Sequence, residues 1–128
     1  PIDDPLDQIQ VVKGWIENGE AMEEGMDVIC SENRKINKNS LRCETLKIDV
    51  DLTTCEIDQD RGANELKVLW TDPNYMPEQN AFYYARVLQN PTCRWTTYDN
   101  IRAGRKPPKE YSAKMTEMAW SSPIWIRD

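Results

Sequence analysis

The side chains that could do chemistry in this chain are four cysteines, several acidic clusters and an unusual number of aromatic rings. Histidine is absent. That removes the commonest general base and the commonest zinc ligand, so Ser-His-Asp, Cys-His and His-metal arrangements cannot be assembled from these residues. Cys30, Cys43, Cys55 and Cys93 are an even set with no CxxC spacing. A structural zinc site would need an unusual arrangement, and four buried free thiols would be the intracellular alternative. Two disulfides of an exported protein, periplasmic or extracellular, are the better reading.

The acidic clusters offer less. Asp58-x-Asp60-x-Gly62-x-x-Glu65 invites a calcium reading. The EF-hand pattern, however, wants Asp or Asn where Gly62 stands and places its Glu several residues later, so an ordinary acidic turn is expected. Asp49 and Asp51 share one face of an alternating stretch. Paired carboxylates do acid–base work when burial splits their pKa values, but this alternation puts both outside. The basic run Arg102, Arg105, Lys106, Lys109 and Lys114 is interrupted by Glu110 and reads as a solvated face. No nucleophile–base pair, phosphate-cradling glycine loop or metal-ligand cluster emerges. No catalytic residue, metal or cofactor is therefore assigned to this chain.

Five tryptophans and five tyrosines are rich for 128 residues. Exposed on a sheet, such rings suit stacking on sugars. Trp15 and Trp70 sit in alternating patterns and are expected in the core. Trp95, Trp120 and Trp125 lie in or beside turns and suit a neighbouring domain or a ligand.

The elements that must position these residues are mostly strands. Gln8–Ile16 carries Ile9, Val11 and Trp15 on one face and Val12 and Ile16 on the other. Asn18-Gly19 follows, the strongest short hairpin signal, because a type I′ turn needs positive φ at both central residues. Ala21–Cys30 returns as the second strand. Ser31–Leu41 is loop by composition. Leu46–Leu52 alternates apolar and polar residues and predicts a half-buried strand. Glu65–Trp70 and Ala81–Leu88 predict two more, joined by the turn-rich 71–80. One short helix is expected near 97–104, with Thr96 or Thr97 as N-cap and Gly104 as the C′ residue. Lys114–Trp120 and Pro123–Ile126 complete the set.

Six or seven short strands and one small helix predict a mainly β fold, a single antiparallel β-sandwich of the immunoglobulin or fibronectin kind over 1–128. If Glu65–Trp70 pairs antiparallel with Ala81–Leu88, extending the register brings Cys93 near Ile57 and within reach of Cys55. Cys30 and Cys43 would then close the polar loop between them.

The chain carries 22 acidic and 16 basic residues, a formal charge of −6. That argues against nucleic acid, which needs a basic footprint. The longest apolar stretches, Ala81–Ala85 and Ile124–Ile126, fall far short of the roughly 18 residues of a membrane helix. Pro1-Ile2-Asp3-Asp4 carries neither an initiator Met nor a signal peptide, which reads as a piece of something longer or a processed product.

Four phrases are long enough to be specific: Ile9-Gln10-Val11-Val12-Lys13-Gly14-Trp15; Trp70-Thr71-Asp72-Pro73-x-Tyr75-x-Pro77; Ala81 to Trp95 without a break; and Ala119-Trp120-Ser121-Ser122-Pro123-Ile124-Trp125. Together, in order and over nearly the whole chain, they resemble the C-terminal part of the bacterial domain-of-unknown-function family numbered 3604. The resemblance implies a large, commonly exported parent whose N-terminal part looks like a metal-dependent hydrolase of the polymerase-and-histidinol-phosphatase type. Metal-binding histidines would lie upstream, and none can be carried onto this chain. The expected role is a non-catalytic accessory or structural domain packed on that upstream catalytic-type domain. The alternative is a carbohydrate-type binding module that uses exposed Trp and Tyr.

Overall fold

Asn18 and Gly19 adopt φ of 51° and 80°, the left-handed pair that matches the twist of the strands they join. The computed structural model describes residues 4–48, 50–93, 102–104 and 114–127. Its strands are β1 (Leu6–Glu17), β2 (Glu20–Cys30), β3 (Ala81–Gln89), β4 (Thr92–Cys93), β5 (Lys114–Met115), β6 (Met118–Trp120) and β7 (Ile124–Ile126). The hairpin pairs β1 with β2 from Glu17 opposite Glu20 to Gln8 opposite Cys30. Between Ile9 and Gln10 the register slips, leaving Val28 as the extra residue of a bulge. β3 lies antiparallel on the other edge of β1, with Gly14 opposite Phe82 and Gln10 opposite Arg86. Its outer edge is shared by β7, at Ala81–Tyr83, and by β6, at Arg86–Leu88.

The chain is thus mainly β, with a five-stranded antiparallel sheet and almost no helix. Beside the sheet stand the two-stranded β4–β5 ribbon and a long irregular segment between β2 and β3.

Two expected strands are absent from that segment. Residues 46–48 and 50–52, and Glu65–Trp70, run as irregular chain. The alternation of 46–52 is real, and Val50 is buried while Leu52 is exposed. A strand also needs an edge to pair with: both edges of β1 and both of β3 are already occupied, and along the outer edge of β2 it is the Leu41 carbonyl that accepts the Asp27 N–H, not 46–52 or 65–70. Cys55, with φ of 59°, turns back on Asp51, its N–H donating to the Asp51 carbonyl at 2.6 Å. Residues 65–70 end with Leu69 fully exposed. β3 pairs with β1 on one edge and with β6 and β7 on the other, so the register expected between 65–70 and 81–88 does not form.

The helix expected near 97–104 lies outside the described residues except for 102–104, where Gly104 has φ of 69°. The final segment splits into β5, β6 and β7.

β1 gives the sheet its two faces. Gln8, Gln10, Val12 and Gly14 project to what we term the even face, and Ile9, Val11, Lys13 and Trp15 to the odd face. The core is small: Val12, Met26, Val28, Val50 and Ala81 are buried, and so, unexpectedly, is Lys13 at 2% exposure. Gly14 is required. A Cβ there would collide with the Phe82 ring lying over it.

Candidate functional site

On the even face, residues opposite each other across β2, β1, β3 and the last strands form three rows. The first row is Asp27, Gln10, Arg86 and Trp120. The second is Gly25, Val12 and Tyr84. The third is Glu23, Gly14, Phe82 and Trp125. Antiparallel partners share a face, so the polar residues gather at the β2 side and the aromatics at the β6–β7 side. Phe82 stacks on Tyr84 with centroids 6.4 Å apart and planes 10° apart, and meets Trp125 at 5.0 Å. Trp120 and Trp125 are 62% and 59% exposed. Their partners on β3 are four residues apart, about 13 Å at the usual rise of a strand. The result is an open aromatic row with a polar flank.

That flank is built around Asp27. Its Oδ1 accepts from Gln8 Nε2 at 3.0 Å and Gln10 Nε2 at 2.7 Å, and its Oδ2 accepts from the Cys43 N–H at 2.7 Å. Arg42 Nη1 stands at 3.5 Å from Oδ1. Arg86 Nε donates to Gln10 Oε1 at 2.8 Å.

The odd face carries a different arrangement. Lys13 Nζ donates to Asp72 Oδ2 at 2.7 Å and to the Asn74 carbonyl at 3.2 Å, while the Tyr83 hydroxyl donates to the same Oδ2 at 2.6 Å. Trp15 and Tyr83 present their rings to Lys13 Nζ at 5.4 and 5.7 Å from the centroids. Burial by itself would raise the Asp72 carboxyl, but hydrogen bonds from Lys13, Tyr83 and the Asn74 N–H outweigh it and hold the group below its ordinary value. Burial and the Asp72 carboxylate push the Tyr83 phenol well above its usual range. Asp72 is therefore a fixed anion and Tyr83 a fixed donor, and neither is poised for proton transfer near neutrality. Beside this trio opens a cavity of about 520 Å³ lined by Val11, Trp70, Tyr75, Ala85, Ile124 and Ile126 among others. Its wall is apolar, and its charged groups are spent on each other.

The cysteines pair as Cys30–Cys43 and Cys55–Cys93, with Cα separations of 6.0 and 5.7 Å. Cys93 meets Cys55 although the strand register used to reason toward that contact is not present. The first bridge anchors the loop bearing Arg42 to the end of β2. Both fit an oxidising, exported environment, and among the described residues no helix is long and apolar enough to cross a membrane.

Asp58 Oδ1 accepts the Asp60 N–H at 2.9 Å, which makes 58–60 a side-chain-closed turn. Arg61 and the Gly62 N–H are held by Glu32 instead. Asp51 is exposed and closes its own turn by accepting the Thr53 N–H. Asp49, Trp95, Arg105, Lys106 and Lys109 lie outside the described residues. Trp15 and Trp70, expected in the core, are only partly covered. Trp120 and Trp125 sit on strands rather than in turns, and both are exposed.

Lys13, Asp72, Tyr83, Arg42 and Arg86 are not among the candidate site residues of the sequence, although all but Arg42 stand in the phrases that carry the family resemblance. A lysine inside the Ile9–Trp15 alternation was the one readable signal among them.

A family model described as Protein of unknown function (DUF3604) matches residues 1–128. No curated protein and no solved structure matches the chain.

Proposed function

The chain belongs to this DUF3604 family across its whole length, and from that premise we propose that it is a non-catalytic module binding a sugar-type ligand on the even face of its sheet. One observation carries the reading: the row Trp125, Phe82, Tyr84 and Trp120 lies on one face with both tryptophans more than half exposed and the Arg86 guanidinium on its flank. Exposing apolar rings to water costs free energy, and a sugar's axial C–H face covers a flat aromatic while its hydroxyls stay wet or meet a polar side chain. The odd-face cavity suits this less, because its polar groups are already paired.

Titration of the tryptophan fluorescence of the chain with neutral and acidic oligosaccharides tests the proposal. Binding is expected, and Trp120→Ala should weaken it about tenfold, the equivalent of about 1.4 kcal/mol. A chain that binds no oligosaccharide, or a Trp120→Ala variant that binds as well as the parent, would overturn it.

A second reading is favoured by a groove of about 350 Å³ at the hairpin end of the sheet, where Ile16, Met22 and Trp125 are exposed beside Phe82. In a longer exported parent this groove would pack on the upstream catalytic-type domain. Hydrogen exchange of the full-length parent against this chain alone tests it, with protection of 16–22 expected only in the parent.

A further inference from the structure

Gly25, in the second row of the even face, is the point where two arginines converge. An ideal Cβ built there would stand 3.8 Å from Arg42 Nη2, 3.8 Å from Arg86 Nη2 and 3.9 Å from Arg42 Nη1. The two guanidiniums thus reach one spot over a backbone floor with no side chain on it.

Both are held from behind. Arg86 is oriented by its bond to Gln10, which is itself fixed on the buried Asp27. Arg42 precedes Cys43, whose N–H is held by Asp27 and whose sulfur is tied to Cys30. The Leu41 carbonyl accepts the Asp27 N–H at 2.9 Å and the Arg42 carbonyl accepts the Asn37 N–H at 2.8 Å, so the backbone carrying Arg42 is pinned on both sides.

The charges do not balance. Among the described residues Asp27 is the one carboxylate bonded into the cluster, its side chain is 3% exposed, and its oxygens already accept three hydrogen bonds. Arg86 makes no ion pair among the described residues, and Arg42 is half exposed. Glu23 lies two residues from Gly25 on the same face and pairs with neither arginine. A chain with net charge −6 therefore holds two like charges together on one patch with a single buried counter-charge. Guanidinium forks bind carboxylates in two-pronged fashion, which a point charge cannot do.

We propose that Arg42 and Arg86, over the floor of Gly25, bind the carboxylate of a uronic acid unit whose ring lies on the neighbouring aromatic row. This rests on the sugar-binding reading and names the class of sugar. Tyr84 stands in the same row as Gly25 and Trp120 in the same row as Arg86, so ring and carboxylate have adjoining seats.

Calorimetric titration of the chain with oligogalacturonate, neutral cello-oligosaccharide and poly-glutamate tests the assignment. Oligogalacturonate should bind at least tenfold more tightly than either of the others. Arg42→Gln and Gly25→Val should each remove that preference while leaving the thermal unfolding transition in place. Arg42 is a surface side chain, and valine suits a strand position whose built Cβ meets only ordinary contacts. Glu23→Gln should strengthen oligogalacturonate binding. Neutral and acidic sugars binding equally, with Arg42→Gln silent, would overturn the carboxylate site and leave the aromatic row standing. Poly-glutamate binding as tightly as oligogalacturonate would overturn the sugar assignment in favour of an acidic peptide. Binding to none of the three would sink both readings.

Discussion

The two faces of the sheet use the same kinds of residue to opposite ends. On the odd face one lysine, one aspartate and one tyrosine are closed on each other, with Lys13 and Asp72 side chains 3% and 7% exposed. On the even face Arg42 stands against the buried Asp27 and remains half exposed, while Arg86 beside it is bonded to Gln10 and makes no ion pair among the described residues. A buried pair that satisfies itself is architecture: it fixes the 70–76 loop over the sheet and leaves nothing for a ligand. A cluster with one charge in excess is an unfinished interaction. The contrast shows why counting ionisable residues in a cleft is a poor guide, and why the balance of donors, acceptors and charge decides between scaffold and site.

The largest effect should come from unbalancing the odd face. Asp72→Asn leaves the Lys13 ammonium buried without its anion, a change that costs about 3–5 kcal/mol in comparable pairs. Urea denaturation should show a midpoint lowered accordingly, whereas oligosaccharide binding by the protein still folded should be unchanged. Equal stability of variant and parent would mean the pair contributes nothing. The same variant isolates a pH dependence. The folded Asp72 carboxyl lies below its ordinary value of 3.8, so between the two values the unfolded chain holds more protons and stability rises with pH. The contribution is complete above about 3.8 and is lost as pH falls through the folded value. The gap between parent and Asp72→Asn should therefore narrow on acidification below that point.

The disulfides sharpen the comparison, because stability and binding should separate. Cys55–Cys93 closes 38 residues and Cys30–Cys43 closes 13. Chain entropy makes their removal cost about 4 and about 3 kcal/mol respectively. Only the shorter bridge pins Arg42. The Cys30→Ala/Cys43→Ala variant should lose the preference for acidic sugar, and Cys55→Ala/Cys93→Ala should keep it despite its larger loss of stability. A reversal of the two binding results would place the anion site elsewhere.

Gly14→Ala probes the aromatic row. The new methyl enters the space of the Phe82 ring, and overpacking of this kind costs about 1–3 kcal/mol. Because Phe82 contacts both Tyr84 and Trp125, sugar affinity should fall with it. Intact affinity in a destabilised variant would separate Phe82 from the row.

Much of the scaffold was legible because its causes are local. The Asn18-Gly19 turn, the alternation of Ile9, Val11 and Trp15, and the β-rich runs 21–30, 81–88 and 124–126 each follow from backbone preference or patterning over a few residues. Segments 46–52 and 65–70 misled because their period is that of a strand, while pairing depends on which edges remain free after β1 and β3 have met across more than sixty residues of chain. The site was illegible for a related reason. Gly25, Arg42 and Arg86 come from three separate segments, and no spacing rule joins them. The exposed tryptophans were readable as candidates, yet only the register showed that Trp120 and Trp125 share a face.

The smallest effect concerns the hairpin that holds the two faces in register. Gly19 has φ of 80° and no atom within 4 Å of its would-be Cβ. Substitution there meets no clash, so any cost is conformational alone. A β-branched residue resists the left-handed region by about 1–2 kcal/mol, whereas asparagine tolerates it. Gly19→Val should thus lower stability by about 1–2 kcal/mol and Gly19→Asn by only a few tenths, both read from urea midpoints. Because the turn lies at the far end of β1 from Arg86, Gly19→Val should leave acidic-sugar binding unchanged. If both substitutions were silent, the turn would not be under the left-handed constraint its geometry describes. If Gly19→Val weakened binding, the even face would depend on the hairpin end of the sheet, and the separation drawn between scaffold and site would have to be redrawn there.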